Sequence, residues 1–272
     1  MALRSPLINV MVDAAKKAAR GLLRDFGEVE QLQVSLKGPA DFVSNADRRA
    51  EQTIMAELKK ARPRFGFLME EQGVEEGEDT SNRWIIDPLD GTTNFLHGIP
   101  HFGISIALER DGHPYAGVIY DAARDEMFFA EKGQGAYMNE RRIRVAGREK
   151  LEDAVLTTGI PHRGRPGRDL FIPGVRAFME VTAGVRRLGS AALDLAWVAS
   201  GRCDGYWERS LKTWDVAAGI VIVREAGGIV TDIEGKDSMM DGGSILAANP
   251  SLHAAMLSTL KTAEKGFVEP AA

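Results

Sequence analysis

Apolar and polar positions alternate with two different rhythms along the chain. Near the N-terminus apolar residues recur at helical spacing after Ser5 and Pro6, a good N-cap and first-turn pair, and again beyond Ser44. Shorter apolar runs follow, and Asp111 with Gly112 between two of them predicts a hairpin. Helices followed by a run of strands indicate an α+β arrangement for the first half.

From about residue 150, short apolar runs alternate with segments of helical spacing. The pattern predicts strands over residues 154–157, 185–188, 203–207 and 229–231 and helices over residues 168–181, 190–199, 215–226 and 250–260. Alternating strands and helices are typical of an α/β layer structure. No linker-like segment separates the halves, so we predict two domains, residues 1–148 and 149–272, that pack against each other.

Composition and charge narrow the class of protein. Of the 272 residues 44% are hydrophobic and 27% are charged, which is ordinary for a soluble globular protein. The formal net charge of -5 argues against a nucleic-acid partner, because a general nucleic-acid binder presents a basic face. The single Cys203 excludes an internal disulfide and a cysteine-cluster zinc site, and it fits a reducing compartment. With no membrane-spanning apolar run and no signal peptide, the expected location is the cytoplasm.

One strand-turn-helix stretch in the first half carries the candidate chemistry. Residues 84–86 predict a buried strand that ends at Asp87, because Pro88 removes a backbone donor. Asp87 and Asp90 then leave the strand end close together, and burying two carboxylates side by side is costly without a compensating cation or proton. Gly91 opens a predicted helix, whose free N–H groups suit an anion. Paired acids beside an anion site indicate metal-assisted phosphate chemistry.

Asp-Pro and Asp-Gly are also ordinary turn formers, and an aspartate at a helix start can act simply as a cap. The longer sequence stretches around these aspartates favour metal-assisted phosphate chemistry over a purely structural role. Residues 84–95, WIIDPLDGTTNF, resemble the Trp-x-Ile-Asp-Pro-x-Asp-Gly-Thr-x-Asn-Phe motif of the inositol monophosphatase family, magnesium-dependent and lithium-sensitive phosphomonoesterases. Residues 214–219, WDVAAG, followed by EAGG at residues 225–228, resemble the second signature of that family. The resemblance spans roughly residues 37 to 230.

The resemblance implies a five-layer αβαβα sandwich of the sugar-phosphatase type and a homodimer. It also implies Mg²⁺, two to three ions with Mn²⁺ as a substitute, which agrees with an all-oxygen ligand set. The implied metal ligands are Glu70, Asp87, the carbonyl of Leu89, Asp90 and Asp215. The implied catalytic residues are Glu70, Thr92 and Asp47, and Thr92 with Asp47 behind it is expected to orient and deprotonate the attacking water.

The substrate residues that the resemblance implies come from both signatures and from the segment between them. They are Asp90, Gly91, Thr92, Arg186, Gly189, Ser190, Ala191, Glu208 and Asp215. The amides of Gly91 and Thr92 are expected to cradle the phosphate, and Glu208 is expected to accept hydrogen bonds from polyol hydroxyls. Arg209 and Lys212 could hold a second phosphate, although isolated basic residues are more commonly solvated.

Two basic features have no assigned role in this interpretation. Lys37 lies near the position of the family's mobile-loop lysine, but its spacing to Asp41 is one residue shorter. The basic loop at residues 162–168 is expected at the surface or at a subunit interface.

These features favour a Mg²⁺-dependent inositol-1-monophosphatase of broad specificity that acts on a small phosphorylated polyol. The same chemistry with another leaving group stays open, on histidinol phosphate, fructose 1,6-bisphosphate or a nucleotide 3′-phosphate. An alternative from a different class is a regulatory or scaffold protein on this fold. Its signature would be a missing metal carboxylate or a basic face, and the sequence has neither.

Overall fold

The computed structural model describes residues 4–28, 34–38, 41–161, 168–241 and 243–265. The helices in these ranges are α1 (Pro6–Phe26), α2 (Asn45–Ala61), α3 (Thr92–Leu96), α4 (Arg168–Val181), α5 (Ala191–Ala199), α6 (Thr213–Glu225) and α7 (Pro250–Lys265). The strands are β1 (Val34–Gly38), β2 (Asp41–Ser44), β3 (Phe65–Met69), β4 (Gly73–Glu75), β5 (Asp79–Asp90), β6 (Gly103–Arg110), β7 (His113–Asp121), β8 (Glu126–Glu131), β9 (Ala136–Met138), β10 (Arg141–Arg142), β11 (Val155–Thr158), β12 (Gly184–Arg186), β13 (Gly205–Leu211), β14 (Ile229–Thr231) and β15 (Gly243–Ala248).

The strands form two large sheets and one small ribbon. The first sheet has the order β10-β9-β8-β7-β6-β5-β3-β4 and is antiparallel except for the parallel pair β3 and β5. The second sheet has the order β12-β11-β13-β15-β14, in which β11 runs parallel to both its neighbours and β15 antiparallel to both of its own. Strands β1 and β2 pair only with each other among the described strands.

The two sheets and three pairs of helices stack in five layers. Helices α1 and α2 cover the outer face of the first sheet, where an apolar cluster holds side chains such as Met11, Ile54 and Trp84. Helices α5 and α6 lie between the sheets and contact both of them. Helices α4 and α7 pack together over the second sheet. The predicted αβαβα sandwich is confirmed, because each amphipathic surface buries its apolar side against the next layer.

The middle layer joins the two halves of the chain. Its apolar cluster contains Ile85 and Ile119 of the first sheet together with Leu195, Ile220 and residues of the second sheet. The halves therefore pack against each other, while their division at residue 148 stays a prediction. Of the described helices, not one is both long and apolar enough to cross a membrane.

The strand that carries the first signature is longer than its sequence predicts. Pro88 was expected to end it, yet β5 continues to Asp90. The pairing with β6 shifts between Asp87, opposite Ser105, and Asp90, opposite Gly103. This bulge accommodates a residue that has no N–H to donate, so the proline displaces the strand without ending it.

Strand β15 was not predicted at all. Its sequence begins with glycine and serine and ends in Ala247 and Ala248, which have little intrinsic preference for strands. Both alanines are fully buried between the neighbouring strands and helices. Tertiary packing therefore determines this strand, and sequence pattern does not.

The first sheet and the helices of the middle layer approach each other closely at Gly117 of β7, which lies against Ala218 of α6. We therefore expect Gly117→Ala to destabilise the protein. A Cβ there would lie 2.5 Å from the Ala218 carbonyl oxygen and 2.8 Å from its Cα. Overpacking of this kind costs about 1–3 kcal/mol, and rigid backbone on the other side favours the upper end. Denaturant unfolding measures the loss. Gly147→Ala is the control, because a Cβ there meets nothing within 4 Å, and an equal effect of both substitutions would contradict the prediction.

Candidate active site

The turn between β5 and α3 is built around Gly91. Its φ of 91° lies in the left-handed region, where residues with a side chain are strained. A Cβ at Gly91 would also meet the carbonyl oxygens of His101 at 3.1 Å and of Gly189 at 3.3 Å. Glycine is therefore required for the turn that follows Asp90 and starts α3.

Glu70 and Asp87 meet because their strands are parallel neighbours. Parallel strands end at the same edge of a sheet, and Met69 of β3 pairs with Ile86 of β5. Glu70 follows β3 and donates its N–H to the Ile86 carbonyl at 3.2 Å. Its carboxyl group is in hydrogen-bond contact with that of Asp87, and Asp87 Oδ1 also accepts the Leu89 N–H at 3.0 Å.

Asp90 links the first half of the chain to the second. One carboxylate oxygen, Oδ2, accepts the Ser190 hydroxyl at 2.6 Å and the Ala192 N–H at 2.7 Å. Both donors belong to the start of α5, where a negative charge is favoured by unpaired N–H groups. Ser190 also caps α5 by accepting the Leu193 N–H. These three hydrogen bonds together fix the start of α5 and the orientation of Asp90.

Asp215 lies in the first turn of α6 and both caps the helix and faces the cavity. Its Oδ2 accepts the N–H of the N-cap residue Lys212 at 2.7 Å, which is the contact that an acidic residue at the third helical position makes in a capping box. Its negative charge also acts on Asp87. Helix α6 was predicted to open at Asp215, and it begins two residues earlier, at Thr213.

These side chains line one cavity between the halves of the chain. Its wall consists of Glu70, Asp87, Leu89, Asp90, Gly91, Thr92, Thr93, Gly159, Ile160, Arg187, Gly189, Ser190, Ala191, Glu208, Leu211 and Asp215. All the predicted metal ligands are on this wall, together with most of the predicted substrate residues. Thr93 occupies an unspecified position of the first signature, and the additional wall residues Gly159, Ile160, Leu211 and Arg187 were not predicted from the sequence.

Asp47 lies behind the cavity wall and contacts Thr92. The Thr92 hydroxyl is 3.2 Å from Asp47 Oδ1 and 3.0 Å from the Leu89 carbonyl oxygen, so its one proton has two acceptors. Asp47 is only 1% exposed and reaches this point from the first turn of α2. The structure therefore brings the predicted pair together.

Arg187, and not Arg186, is on the cavity wall. Arg186 is the last residue of the edge strand β12, is exposed, and donates to the carbonyl of its neighbour Val185 at 3.1 Å. Successive side chains of an extended segment point to opposite sides, so the next residue faces the cavity. Arg187 Nη1 lies 2.8 Å from where a Cβ on Gly189 would be. Of the described wall residues, Arg187 alone is basic.

Glu208 is held at the opposite side of the wall. The Tyr206 hydroxyl donates to Glu208 Oε2 at 2.6 Å. The backbone of Gly159 lies directly against this carboxylate, because a Cβ there would be 1.9 Å from the carboxyl carbon. Any side chain at position 159 would therefore have to displace the Glu208 carboxylate from this place.

The other basic residues singled out by the sequence are away from the wall. Arg209 pairs with Glu264 of α7, which leaves it committed to a structural contact. Lys212 is exposed and does not line the cavity. The side chain of Lys37 and residues 162–167 of the basic loop lie outside the described part of the chain.

The wall carries a concentrated negative charge. Burial raises the pKa of Asp87 well above its ordinary value, and the charges of Glu70, Asp90 and Asp215 raise it further. Burial also raises the pKa of Asp90 to about 7, although the hydrogen bonds from Ser190 and Ala192 oppose the shift. A bound cation would relieve this repulsion.

The chemistry of the wall fits a hard divalent cation. Its candidate ligands are the carboxylates of Glu70, Asp87, Asp90 and Asp215 and the Leu89 carbonyl, and oxygen donors without cysteine or histidine suit Mg²⁺ or Mn²⁺. Within the described residues, no three His, Cys, Asp or Glu side chains are gathered closely enough to hold one ion as they stand. The fit therefore rests on donor chemistry and on the buried charge.

Comparison with known proteins agrees with this geometry over nearly the whole chain. A sequence model described as the inositol monophosphatase family matches residues 3–265. The chain belongs to the inositol monophosphatase family. A relative from Mesorhizobium japonicum named inositol-1-monophosphatase is 60% identical over 258 residues, covering 95% of this chain and 97% of its own. A relative from Pseudomonas aeruginosa named Nus factor SuhB is 44% identical, covering 94% and 96%.

A solved structure gives the same result for the fold. The extragenic suppressor protein suhB from Bartonella henselae superposes with a TM-score of 0.92 at 56% identity, covering 94% of this chain and 99% of its own. Members of the inositol monophosphatase family are phosphomonoesterases that act on small phosphorylated substrates and are generally metal-dependent. The resemblance drawn from the two signatures is confirmed, and the chain is a phosphoric monoester hydrolase.

Because Asp87 is buried among negative charges, we expect Asp87→Asn to stabilise the metal-free protein at pH 8. A carboxyl group whose pKa is raised by folding contributes stability only while it stays protonated, and that contribution is lost as pH rises. An amide removes the charge and can still accept the Leu89 N–H. Thermal unfolding in chelator should show a rise in Tm of about 2–4 °C, which corresponds to about 1 kcal/mol at this chain length.

Asp204→Asn is the matched control for this measurement. Asp204 is equally buried, but its oxygens accept Arg148 Nη1 at 2.9 Å and the Val155 N–H at 2.8 Å. Weakening a paired buried charge is destabilising, so this variant should unfold at lower temperature. A lowered Tm for both variants would contradict the electrostatic account of Asp87.

Proposed function

We propose that the protein is a Mg²⁺-dependent inositol-1-monophosphatase of broad specificity that hydrolyses inositol monophosphate to inositol and phosphate. The observation that carries the proposal is the shared wall of the cavity. Carboxylates suited to Mg²⁺ lie on it beside Ser190, Ala191 and Glu208, which suit a polyol. Relatives at 54–60% identity that carry the name inositol-1-monophosphatase support the substrate.

Two to three Mg²⁺ ions would be held by the oxygen donors of the wall, with Mn²⁺ as a substitute. Glu70, Asp87 and the Leu89 carbonyl would hold one ion, Asp87, Asp90 and Asp215 a second, and Glu70 a third, weaker one. When bound, Mg²⁺ supplies positive charge to the phosphoryl group and lowers the pKa of a water molecule.

The chain's own residues position the reactants and move the proton. The Thr92 hydroxyl would orient the attacking water, and Asp47, shielded behind it, would take the water's proton through Thr92. The water oxygen forms its bond to phosphorus as the ester P–O bond breaks in line with it. The leaving alkoxide then takes a proton from solvent. The N–H groups of Gly91 and Thr92 would donate to the phosphate oxygens.

The substrate's polyol would lie between the Gly189 segment and Glu208. The hydrogen bond from Tyr206 fixes the direction of the Glu208 carboxylate, which would accept hydrogen bonds from substrate hydroxyls. Arg187 would add the positive charge on this side, in place of Arg209 and Lys212. We also propose a homodimer, which is supported by the exposed apolar side chains of α4, Ile172 and Met179 among them. The proposed location is the cytoplasm, because the single Cys203 fits a reducing compartment.

Phosphate release from a panel of substrates tests the proposal. The panel is inositol 1-phosphate, fructose 1,6-bisphosphate, histidinol phosphate and adenosine 3′,5′-bisphosphate, with Mg²⁺ titrated and Li⁺ added. We expect the highest kcat/KM for inositol 1-phosphate, no turnover without a divalent cation such as Mg²⁺, and inhibition by Li⁺. A higher kcat/KM for another member of the panel would revise the proposed substrate and leave the proposed hydrolytic chemistry unchanged. No turnover of any of them would favour a regulatory role, for which the relatives named Nus factor SuhB are the supporting observation.

Asp90→Asn should abolish turnover and leave the protein folded. The amide keeps the shape of the side chain and an oxygen for the α5 donors, but it removes a charge from the metal site. We expect kcat to fall by at least about 100-fold, since even outer-sphere partners of a metal cost 10–100-fold when removed. Asp111→Asn, in an exposed turn with φ of 52°, is the control and should retain full activity. Phosphate release at the normal rate by Asp90→Asn would contradict the assignment.

The sequence resemblance assigns the substrate contact to Arg186, whereas the cavity wall contains Arg187. Substituting each arginine separately distinguishes between these two assignments. Arg187→Ala should raise KM for inositol 1-phosphate by about threefold to tenfold, since a hydrogen bond at such a site is worth about 1 kcal/mol. Arg186→Ala should leave KM unchanged, because its guanidinium faces Val185. The reverse result would restore Arg186 as the substrate residue.

A further inference from the structure

Helix α2 directs two buried carboxylates toward the active site, one helical turn apart. Asp47 is 1% exposed and Glu51 is completely buried, on the same side of the helix. Asp47 accepts the Thr92 hydroxyl, as described above. Glu51 is not part of either family signature, and it contacts a different segment, residues 71 and 72.

Glu51 binds the turn that follows Glu70. Its Oε2 accepts the Glu71 N–H at 2.8 Å, and its Oε1 accepts the Gln72 N–H at 3.0 Å and the Gln72 side-chain amide at 3.1 Å. The N–H of Glu70 itself is bound to the Ile86 carbonyl of β5. Three consecutive backbone N–H groups are therefore fixed, the first by the sheet and the next two by Glu51.

Burying the Glu51 carboxylate costs solvation free energy that a neutral side chain in this turn would not lose. Its presence therefore points to a role beyond the stability of the turn. Burial and the charge of Glu70 raise the pKa of Glu51, and the hydrogen bonds from the turn oppose that shift. Only a carboxylate presents two acceptor oxygens in the same plane, one for each N–H. A glutamine could accept one of them and would turn its own N–H₂ toward the other.

We propose that Glu51 is a positioning residue for the metal site, which holds the backbone of the 70–72 turn so that Glu70 faces Asp87. The inference rests on the proposed function, because it requires Glu70 to be a metal ligand. Glu51 contacts neither the ion nor the substrate. It acts only through the turn.

Two substitutions separate the effect of the length of the Glu51 side chain from the effect of its negative charge. Glu51→Gln keeps the length of the side chain and removes the charge, whereas Glu51→Asp keeps the charge and withdraws the carboxylate by one methylene. Glu57→Gln is the matched control, since Glu57 is on the same helix, more exposed, and pairs with Lys17. Each variant is prepared metal-free, and its Kd for Mg²⁺ is measured by titration calorimetry. Amide hydrogen exchange at residues 70–72 is measured without metal.

If Glu51 positions the turn, Glu51→Asp and Glu51→Gln should both bind Mg²⁺ about tenfold more weakly, as expected for loss of an outer-sphere support. Both should show faster exchange at Glu71 and Gln72, and Glu57→Gln should match the unsubstituted protein. Mg²⁺ affinity of Glu51→Asp equal to that of the unsubstituted protein would overturn the inference, because charge alone would then explain Glu51→Gln. Should Glu51→Asp fail to fold, faster exchange with unchanged Mg²⁺ affinity in Glu51→Gln would overturn it.

The same titration separates this inference from the proposed function. If the unsubstituted protein binds no Mg²⁺, the proposed function fails and the inference fails with it. If the unsubstituted protein binds Mg²⁺ and the Glu51 variants bind it equally well, only the inference fails.

Discussion

Mutual repulsion among carboxylates on one cavity wall is the constraint around which this structure is organised. Glu70, Asp87, Asp90 and Asp215 come from three separate places in the chain and face one cavity. Burial raises the pKa of Asp87, and the charges of the other three carboxylates raise it further. A chain folding for stability alone would not collect these groups, so the fold must hold them together against a force that separates them.

The structure holds them through backbone geometry and helix ends, with few ion pairs at the site. The parallel pair β3 and β5 delivers Glu70 and Asp87 to one sheet edge, and the bulge around Pro88 turns Asp90 toward the second half. Asp90 is then bound at the start of α5, and Asp215 at the start of α6. Both helices belong to the layer shared by the two sheets, so the packing of the whole molecule fixes the distances within the site.

Much of this could be predicted from the sequence, because the functional strings are contiguous and their elements are strongly patterned. Asp87 and Asp90 share one motif, and Asp215 lies in the first turn of an apolar helix whose position is clear from its spacing. The features that the sequence alone did not predict depend on contacts between distant segments. The path of β5 through Pro88 and the existence of β15 depend on neighbouring strands. The choice of Arg187 over Arg186 depends on where an edge strand ends, and the partners of Glu51 are about twenty residues away.

The central claim is that these carboxylates bind divalent cations together, and the direct test is a crystal structure of the protein with saturating Mn²⁺, in which anomalous scattering locates the metal. The account predicts an anomalous peak within coordination distance of Asp87 and of at least one of Glu70, Asp90 and Asp215. The absence of any peak in this cavity, with the four carboxylates turned away from one another, would contradict it.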